Sequence, residues 1–170
     1  MNRVPSWLTY FLFSISVLPI ICRGATNSSC KPTPSSSDWP SVADWEALNK
    51  SVSGNLIAAS PPGAVCQPQL SQFNNASCTL LTNEWTNSSF HSNNPVSVDY
   101  NDDTCLPSPI APCSGVGYPV YVVNATQASD IQEAVLFAKK TGVRLIVKGT
   151  GHDFLGRSCA RTDLAGRLLI

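Results

Sequence analysis

Hydrophobic and polar positions follow three different patterns along the 170-residue chain. A nearly unbroken apolar run occupies residues 7–21, close to the amino terminus. Residues 25–117 carry only short apolar pieces, separated by Pro-Pro-Gly, Asn-Asn and Asn-Pro sequences that are typical of turns. From residue 118 onward, the apolar positions become regular and predict strands and a helix. We therefore expect an α+β fold in which an irregular segment, 25–117, precedes a regular unit, 118–170.

The irregular segment contains one predicted helix near its beginning. Ser41 can cap this helix, because Asp44 stands at the third helical position as in a capping box. Gly54 is expected to end it. Its narrow apolar face comprises Trp45, Leu48 and Val52. Residues 55–117 show no regular strand pattern, so we expect disulfides and glycans rather than a core to order them. His91 is expected in solvated coil.

The regular unit predicts a strand, a helix and a second strand. The first strand is Val120–Val123, and Thr126 can cap the helix that Gly142 ends. The predicted buried face of this helix comprises Ile131, Ala134, Val135 and Ala138. The second strand is Arg144–Lys148, so the unit is a β-α-β motif with parallel strands. We expect one face of this motif to be uncovered, leaving it with too little buried apolar surface to repay its chain entropy comfortably.

The amino-terminal apolar run has the layout of a secretion signal. Arg3 precedes it and small residues follow it, so cleavage after Gly24 would remove residues 1–24. An uncleaved anchor is the alternative, but about 15 apolar residues are short for a membrane span. Removal of two arginines leaves nine basic and eleven acidic residues, a net charge of −2. This charge balance excludes a protein that binds nucleic acids electrostatically. From the signal we expect a secreted, extracellular protein without a membrane segment in its mature form.

The cysteines and the glycosylation sequons agree with secretion. Cleavage would leave six of the seven cysteines, and short loops favour the pairs Cys66–Cys78 and Cys105–Cys113. No Cys-x-x-Cys sequence occurs, so we expect no metal site. Five Asn-x-Ser/Thr sequons are present, at Asn27, Asn49, Asn75, Asn87 and Asn124.

A glycine-rich loop directly follows the second predicted strand and is the segment that carries chemistry. An anion can approach the unpaired backbone N–H groups of such a loop. A Rossmann fingerprint would require glycine where Phe154 stands. A P-loop would require lysine in place of Arg157, and the planar fork of arginine is not an equivalent substitute. Arg157 and Ser158 can position a phosphate or have an ordinary surface role.

A third interpretation comes from a family resemblance. The sequence Lys-Gly-Thr-Gly-His-Asp-Phe-Leu-Gly-Arg-Ser, residues 148–158, resembles the flavin loop of secreted fungal oxidases. These oxidases belong to the vanillyl-alcohol-oxidase (VAO) superfamily, in particular its berberine-bridge-enzyme-like branch. Residues 118–126 and 130–138 resemble the strand and the helix that precede that loop, and the similarity extends back to about Cys30.

The resemblance implies a partial PCMH-type FAD-binding domain. It implies that the loop amides hold the FAD pyrophosphate and that His152 is joined covalently to the flavin. The cradle would comprise Gly149, Thr150, Gly151 and Asp153. The implied partners are FAD, a small alcohol or related substrate, and O2 as the electron acceptor. The alternative is a non-enzymatic, secreted, disulfide-containing glycoprotein with a vestigial flavin loop.

The resemblance ends after Ser158. We find no counterpart in residues 159–170 for the rest of such a domain, for its substrate domain or for a catalytic base. Cys159 is interpreted as a disulfide or unpaired cysteine rather than as a second flavin attachment. We therefore expect a truncated form, for example one produced by a shifted reading frame.

Overall fold

A computed structural model describes residues 31–97, 104–153, 158 and 167–170. The predicted signal, residues 1–24, lies outside these residues, as do Asn27, Cys30 and Cys159. The described helices are α1 (Val42–Ser51), α2 (Asn75–Glu84), α3 (Ser88–Asn93) and α4 (Ala128–Thr141). The described strands are β1 (Leu56–Ala58), β2 (Tyr121–Val123), β3 (Arg144–Ile146) and β4 (Arg167–Leu169). A 3₁₀ helix covers Pro62–Cys66.

The described strands form one four-stranded sheet in the order β1-β2-β4-β3. β1 pairs antiparallel with β2, while β4 lies parallel to both β2 and β3. The expectation that residues 55–117 contain no regular strand was wrong, because a strand forms at Leu56–Ala58. Residues 167–169, for which no strand was predicted, form a central strand of the sheet.

Both faces of the sheet are covered, which corrects the expectation of an uncovered β-α-β unit. One face packs against α1 and α4 and contains Trp45, Leu48, Val52, Val123, Ala134, Val143 and Leu168. The opposite face packs against the part of the irregular segment that follows β1 and contains Ala64, Val96, Cys105, Tyr118, Val122 and Leu169. Successive residues of β2 and β4 thus point to opposite faces, and hydrophobic burial on both sides supports the sheet.

Helix α1 forms as its capping residues predict. Ser41 accepts a hydrogen bond from the Asp44 backbone N–H, and the Asp44 carboxylate accepts one from the Ser41 N–H at 2.9 Å. Trp45 is buried and stacks on Tyr121 of β2 at a ring-centroid distance of 4.2 Å. The predicted apolar face of α1 is therefore confirmed.

Helix α4 buries a different stripe from the predicted one. Ala134 and Ala138 are buried as expected, but Ile131 and Val135 are exposed. The third buried member of the stripe is Asp130. The spacing of four residues puts all three buried side chains on one side of the helix, and the small alanines allow it to approach the sheet closely.

The irregular segment has more order than its sequence pattern predicts. Both favoured disulfides, Cys66–Cys78 and Cys105–Cys113, are present in the structure. The 3₁₀ helix lies directly against the second disulfide loop. The approach is so close that a Cβ on Gly63 would overlap the Cys105 carbonyl oxygen. Core packing and disulfides therefore order this segment together. The division of the chain at residue 117 stays a prediction, although strands from both sides of it pair in the sheet.

Candidate functional site

The glycine-rich loop begins at the carboxyl edge of the parallel strands. The Lys148 N–H donates to the Ile170 carbonyl at 2.8 Å, and the Ile170 N–H donates to the Ile146 carbonyl at 2.9 Å. The hydrogen-bond ladder between β3 and β4 therefore continues to the residue before Gly149. Ligands of open α/β sheets characteristically bind at this edge, where the loops that follow the strands meet.

The five predicted cofactor residues lie in one continuous stretch at this edge. Gly149, Thr150 and His152 are exposed, Gly151 is buried, and Asp153 is half-buried. A Cβ added to Gly149 would meet no atom within 4 Å, so this part of the backbone faces open space. The stretch therefore offers an accessible backbone beside an accessible imidazole. Their roles toward a cofactor stay a prediction.

Gly151 requires the absence of a side chain. Its φ of +86° lies in the left-handed region, which costs an L-residue roughly 1–2 kcal/mol. A Cβ at this position would also lie 2.8 Å from Cε of Lys148. The loop therefore turns back over the Lys148 side chain immediately before it presents His152.

The Lys148 ammonium connects the loop to the carboxyl end of α3. Its Nζ donates to the Asn94 carbonyl at 2.6 Å and to the His91 carbonyl at 3.1 Å. Carbonyls at the end of a helix lack intrahelical partners and carry the negative end of its dipole, so a cation is stabilised there. The sequence motif alone indicates no such role for Lys148.

His91 is buried in α3, so its expected place in solvated coil was wrong. Its exposed fraction is 9%, and its Nε2 lies 2.7 Å from the Trp85 carbonyl. A carbonyl only accepts hydrogen bonds, so Nε2 carries a proton and donates it. Nδ1 lies 2.6 Å from the Ser97 hydroxyl. The sequence feature that could have predicted α3 is Asn87, a residue type favoured at helix caps. Its side-chain oxygen accepts a hydrogen bond from the Ser89 N–H at 3.0 Å.

A cleft of about 290 Å³ adjoins the start of the loop. Its apolar wall comprises Pro95, Val122, Val123, Ala125, Ile131, Val147, Leu169 and Ile170. Its polar wall comprises Ser92, Asn93, Asn124, Lys148 and Gly149. This volume lies near the lower end of the range for ligand sites, roughly 300–1,000 Å³, so the cleft suits part of a larger molecule.

A second cleft, of about 500 Å³, lies beside β3 and α4. None of the five predicted cofactor residues lines it. Its polar lining comprises Lys31, Lys139 and Arg144. The smaller cleft beside Gly149 is therefore the better candidate site, because it combines apolar walls with the glycine-rich backbone.

The Asp130 side chain caps the amino terminus of α4. The Asp130 carboxylate accepts hydrogen bonds from the backbone N–H groups of Thr126 at 2.9 Å and Gln127 at 3.3 Å. The hydrogen bond from Thr126 is the main reason why the pKa of Asp130 lies below its ordinary value. A Rossmann domain would place its pyrophosphate at such a terminus, but here an acidic side chain takes that place. Helix α4 begins one residue later than predicted, with Gln127 rather than Thr126 as its cap.

Within the described ranges, no helix is sufficiently long and apolar to cross a membrane. Their His, Cys, Asp and Glu side chains form no group of three that could hold a metal ion. For the P-loop interpretation, Ser158 lies in a turn, while Arg157 falls outside the described residues.

The chain is similar to known FAD-dependent proteins. The chain is 40% identical over 144 residues to the VAO-type flavoprotein oxidase VAO615 of Thermothelomyces thermophilus, covering 81% of this chain and 25% of that protein. It is 39% identical over 137 residues to the FAD-linked oxidoreductase ZEB1 of Gibberella zeae, covering 78% of this chain and 24% of that protein.

The solved structures give the same result. The crystal structure of the VAO-type flavoprotein MtVAO615 from Myceliophthora thermophila C1 matches with a TM-score of 0.72 and 38% identity. The match covers 83% of this chain and 26% of that one. No protein-family model matches the sequence. The chain thus spans about a quarter of the length of the relatives it matches.

Proposed function

Because this chain is similar over about four-fifths of its length to VAO-type flavoprotein oxidases and FAD-linked oxidoreductases, we propose that its glycine-rich loop binds FAD covalently. In this proposal the backbone of Gly149, Thr150, Gly151 and Asp153 holds the pyrophosphate, and His152 is joined to the flavin. The observation that supports it best is the exposed His152 directly after the left-handed Gly151, close to the open backbone at Gly149.

The residues at this edge fit such a cofactor. Gly149 leaves room for a phosphate to approach the main chain, since a Cβ there would point into open space. The apolar wall of the adjoining cleft can cover a planar ring or a ribose and exclude water from it. When bound, FAD supplies two-electron redox chemistry that amino-acid side chains cannot perform.

The reaction proposed for the complete enzyme is oxidation of a small alcohol or a related carbon–heteroatom substrate. The substrate would lose a hydride and a proton, and O2 would take up both electrons and both protons to form H2O2. No described residue is assigned as the catalytic base. The truncated ending expected from the sequence stays a prediction.

Secretion forms part of the same proposal. A signal at residues 1–24 would direct the chain to an oxidising compartment before its removal, and the two disulfides of the structure persist in such a compartment. The alternative of a non-enzymatic glycoprotein shares this localisation but requires no flavin. The flavoprotein relatives favour the oxidoreductase.

The decisive experiment is the intact mass and visible absorbance of the secreted, deglycosylated chain. We expect a mass increment of one FAD and a yellow colour, both absent from a His152→Ala variant. Acid precipitation should leave the colour on the protein, since the attachment is covalent. A colourless chain at its apoprotein mass would contradict the proposal and favour the glycoprotein alternative.

A further inference from the structure

Lys148 is held at its backbone and at its ammonium group. Its N–H donates to the Ile170 carbonyl, which fixes its main chain in the sheet. Its Nζ donates to the carbonyls of His91 and Asn94, 57 and 54 residues earlier in the chain. An ammonium group has three donors, and two of them are directed to carbonyls at the end of α3. The side chain therefore spans from the sheet to α3.

The end of α3 is a fixed anchor for this side chain. The His91 ring connects the Trp85 carbonyl, before the helix, to the Ser97 hydroxyl, after it. The Asn94 side-chain oxygen accepts from the backbone N–H groups of Val96 at 3.0 Å and Ser97 at 3.1 Å. These hydrogen bonds hold the carbonyls of His91 and Asn94 in place, because the segments on both sides of them are tied together.

The loop in turn folds over Lys148. Gly151 is buried, and its missing side chain leaves the space that the Lys148 stem fills, with Cε 2.8 Å from the ideal Cβ position. His152 follows directly. The direction in which the chain presents His152 therefore depends on where the Lys148 stem lies.

We propose that Lys148 is a positioning residue that sets the conformation of the flavin-attachment loop by connecting it to the carboxyl end of α3. The irregular segment thereby takes part in building the cofactor site. Toward FAD this inference rests on the proposed function, but its structural part holds for the chain without cofactor. Lys148 acts through the loop backbone and His152 rather than on the flavin itself.

The structural part is tested by a double-mutant cycle in the cofactor-free chain, prepared with His152→Ala throughout. Gly151→Ala is introduced into two backgrounds, one with the native Lys148 and one with Lys148→Ala, and the urea midpoint of unfolding is measured for all four chains. In the native background, the new Cβ at position 151 both contacts the Lys148 side chain and strains the backbone. In the Lys148→Ala background, only the backbone strain is left. We expect the midpoint shift to be at least twofold smaller in the Lys148→Ala background. Equal shifts would overturn the proposal.

The functional part is tested by the fraction of folded chains that carry covalent FAD. Lys148→Met keeps an unbranched stem but loses the donors, and we expect at least a fivefold lower fraction. Lys148→Arg keeps a cation that can donate to both carbonyls, and should retain most of the attachment. Lys140→Met, at an exposed lysine of α4, is the matched control and should match the unchanged chain.

The outcomes separate this proposal from the proposed function. If Lys148→Met attaches FAD as fully as the unchanged chain, the positioning role is wrong and the proposed function stands. If the unchanged chain carries no FAD, the proposed function fails. The double-mutant cycle then decides the positioning role by itself.

Discussion

Truncation of Leu168 tests the central place of β4 in the sheet. Its exposed fraction is 0%, and it lies in the cluster that contains Trp45, Val123 and Ala134. Strands pair on both sides of it, opposite Tyr121 in β2 and Leu145 in β3. Its surroundings therefore have little freedom to close around a smaller side chain.

The expected cost of Leu168→Ala is about 3 kcal/mol of unfolding free energy. Fully buried Leu→Ala changes typically cost about 2–5 kcal/mol, because the lost transfer free energy adds to that of the cavity. For a unit of this size, each kcal/mol corresponds to roughly 3–4 °C, so the melting temperature should fall by about 10 °C.

Urea denaturation followed by tryptophan fluorescence is a suitable assay, because Trp45 lies in the same cluster. The matched control is Leu136→Ala, the same truncation at a side chain of α4 that is 57% exposed. The control should lose under about 1 kcal/mol. Similar losses in the two variants, at unchanged denaturant slope, would refute the placement of Leu168 inside the sheet.

Two further predictions concern a disulfide and a buried carboxylate. Replacing Cys66 and Cys78 by serine opens a loop whose ends are 12 residues apart, which should lower the unfolding free energy by about 3 kcal/mol through chain entropy. Denaturation without reductant measures it, and an unchanged midpoint would contradict the entropic reasoning. For Asp130, hydrogen bonds from Thr126, opposed in part by burial, hold the folded-state pKa below its ordinary value. The ionised carboxylate therefore stabilises the fold above the unfolded-state pKa, and this contribution is lost as the pH falls through the folded-state pKa. Asp130→Asn should therefore be less stable than the unchanged chain at pH 7, with the difference shrinking below about pH 4; parallel stability curves from pH 7 to pH 2 would show that this carboxylate is not the acceptor.

Local signals in the sequence sufficed for several elements. The capping box of Ser41 and Asp44 together with a one-sided apolar pattern predicted α1, because both act within one or two turns of helix. The short loops between cysteines predicted both disulfides, since nearby cysteines meet at a low entropic cost. The glycine-rich loop was likewise identified from its own residues and from its position after a strand.

Long-range contacts decided the rest. Residues 167–169 are too few to show a strand period, and only pairing with β2 and β3 makes them a central strand. The buried side of α4 was set by packing against the sheet, which favoured small alanines over the larger Ile131 and Val135.

The candidate site shows the same division. The sequence predicts a cofactor role for the stretch from Gly149 to Asp153, because the family resemblance that implies this role lies in consecutive residues, and the role stays a prediction. The sequence could not show that Lys148 contacts His91 and Asn94, since Lys148 lies more than 50 positions from both of them. Hydrogen bonds to backbone carbonyls leave no trace in residue identity, and only the tertiary structure determines which carbonyls a lysine meets.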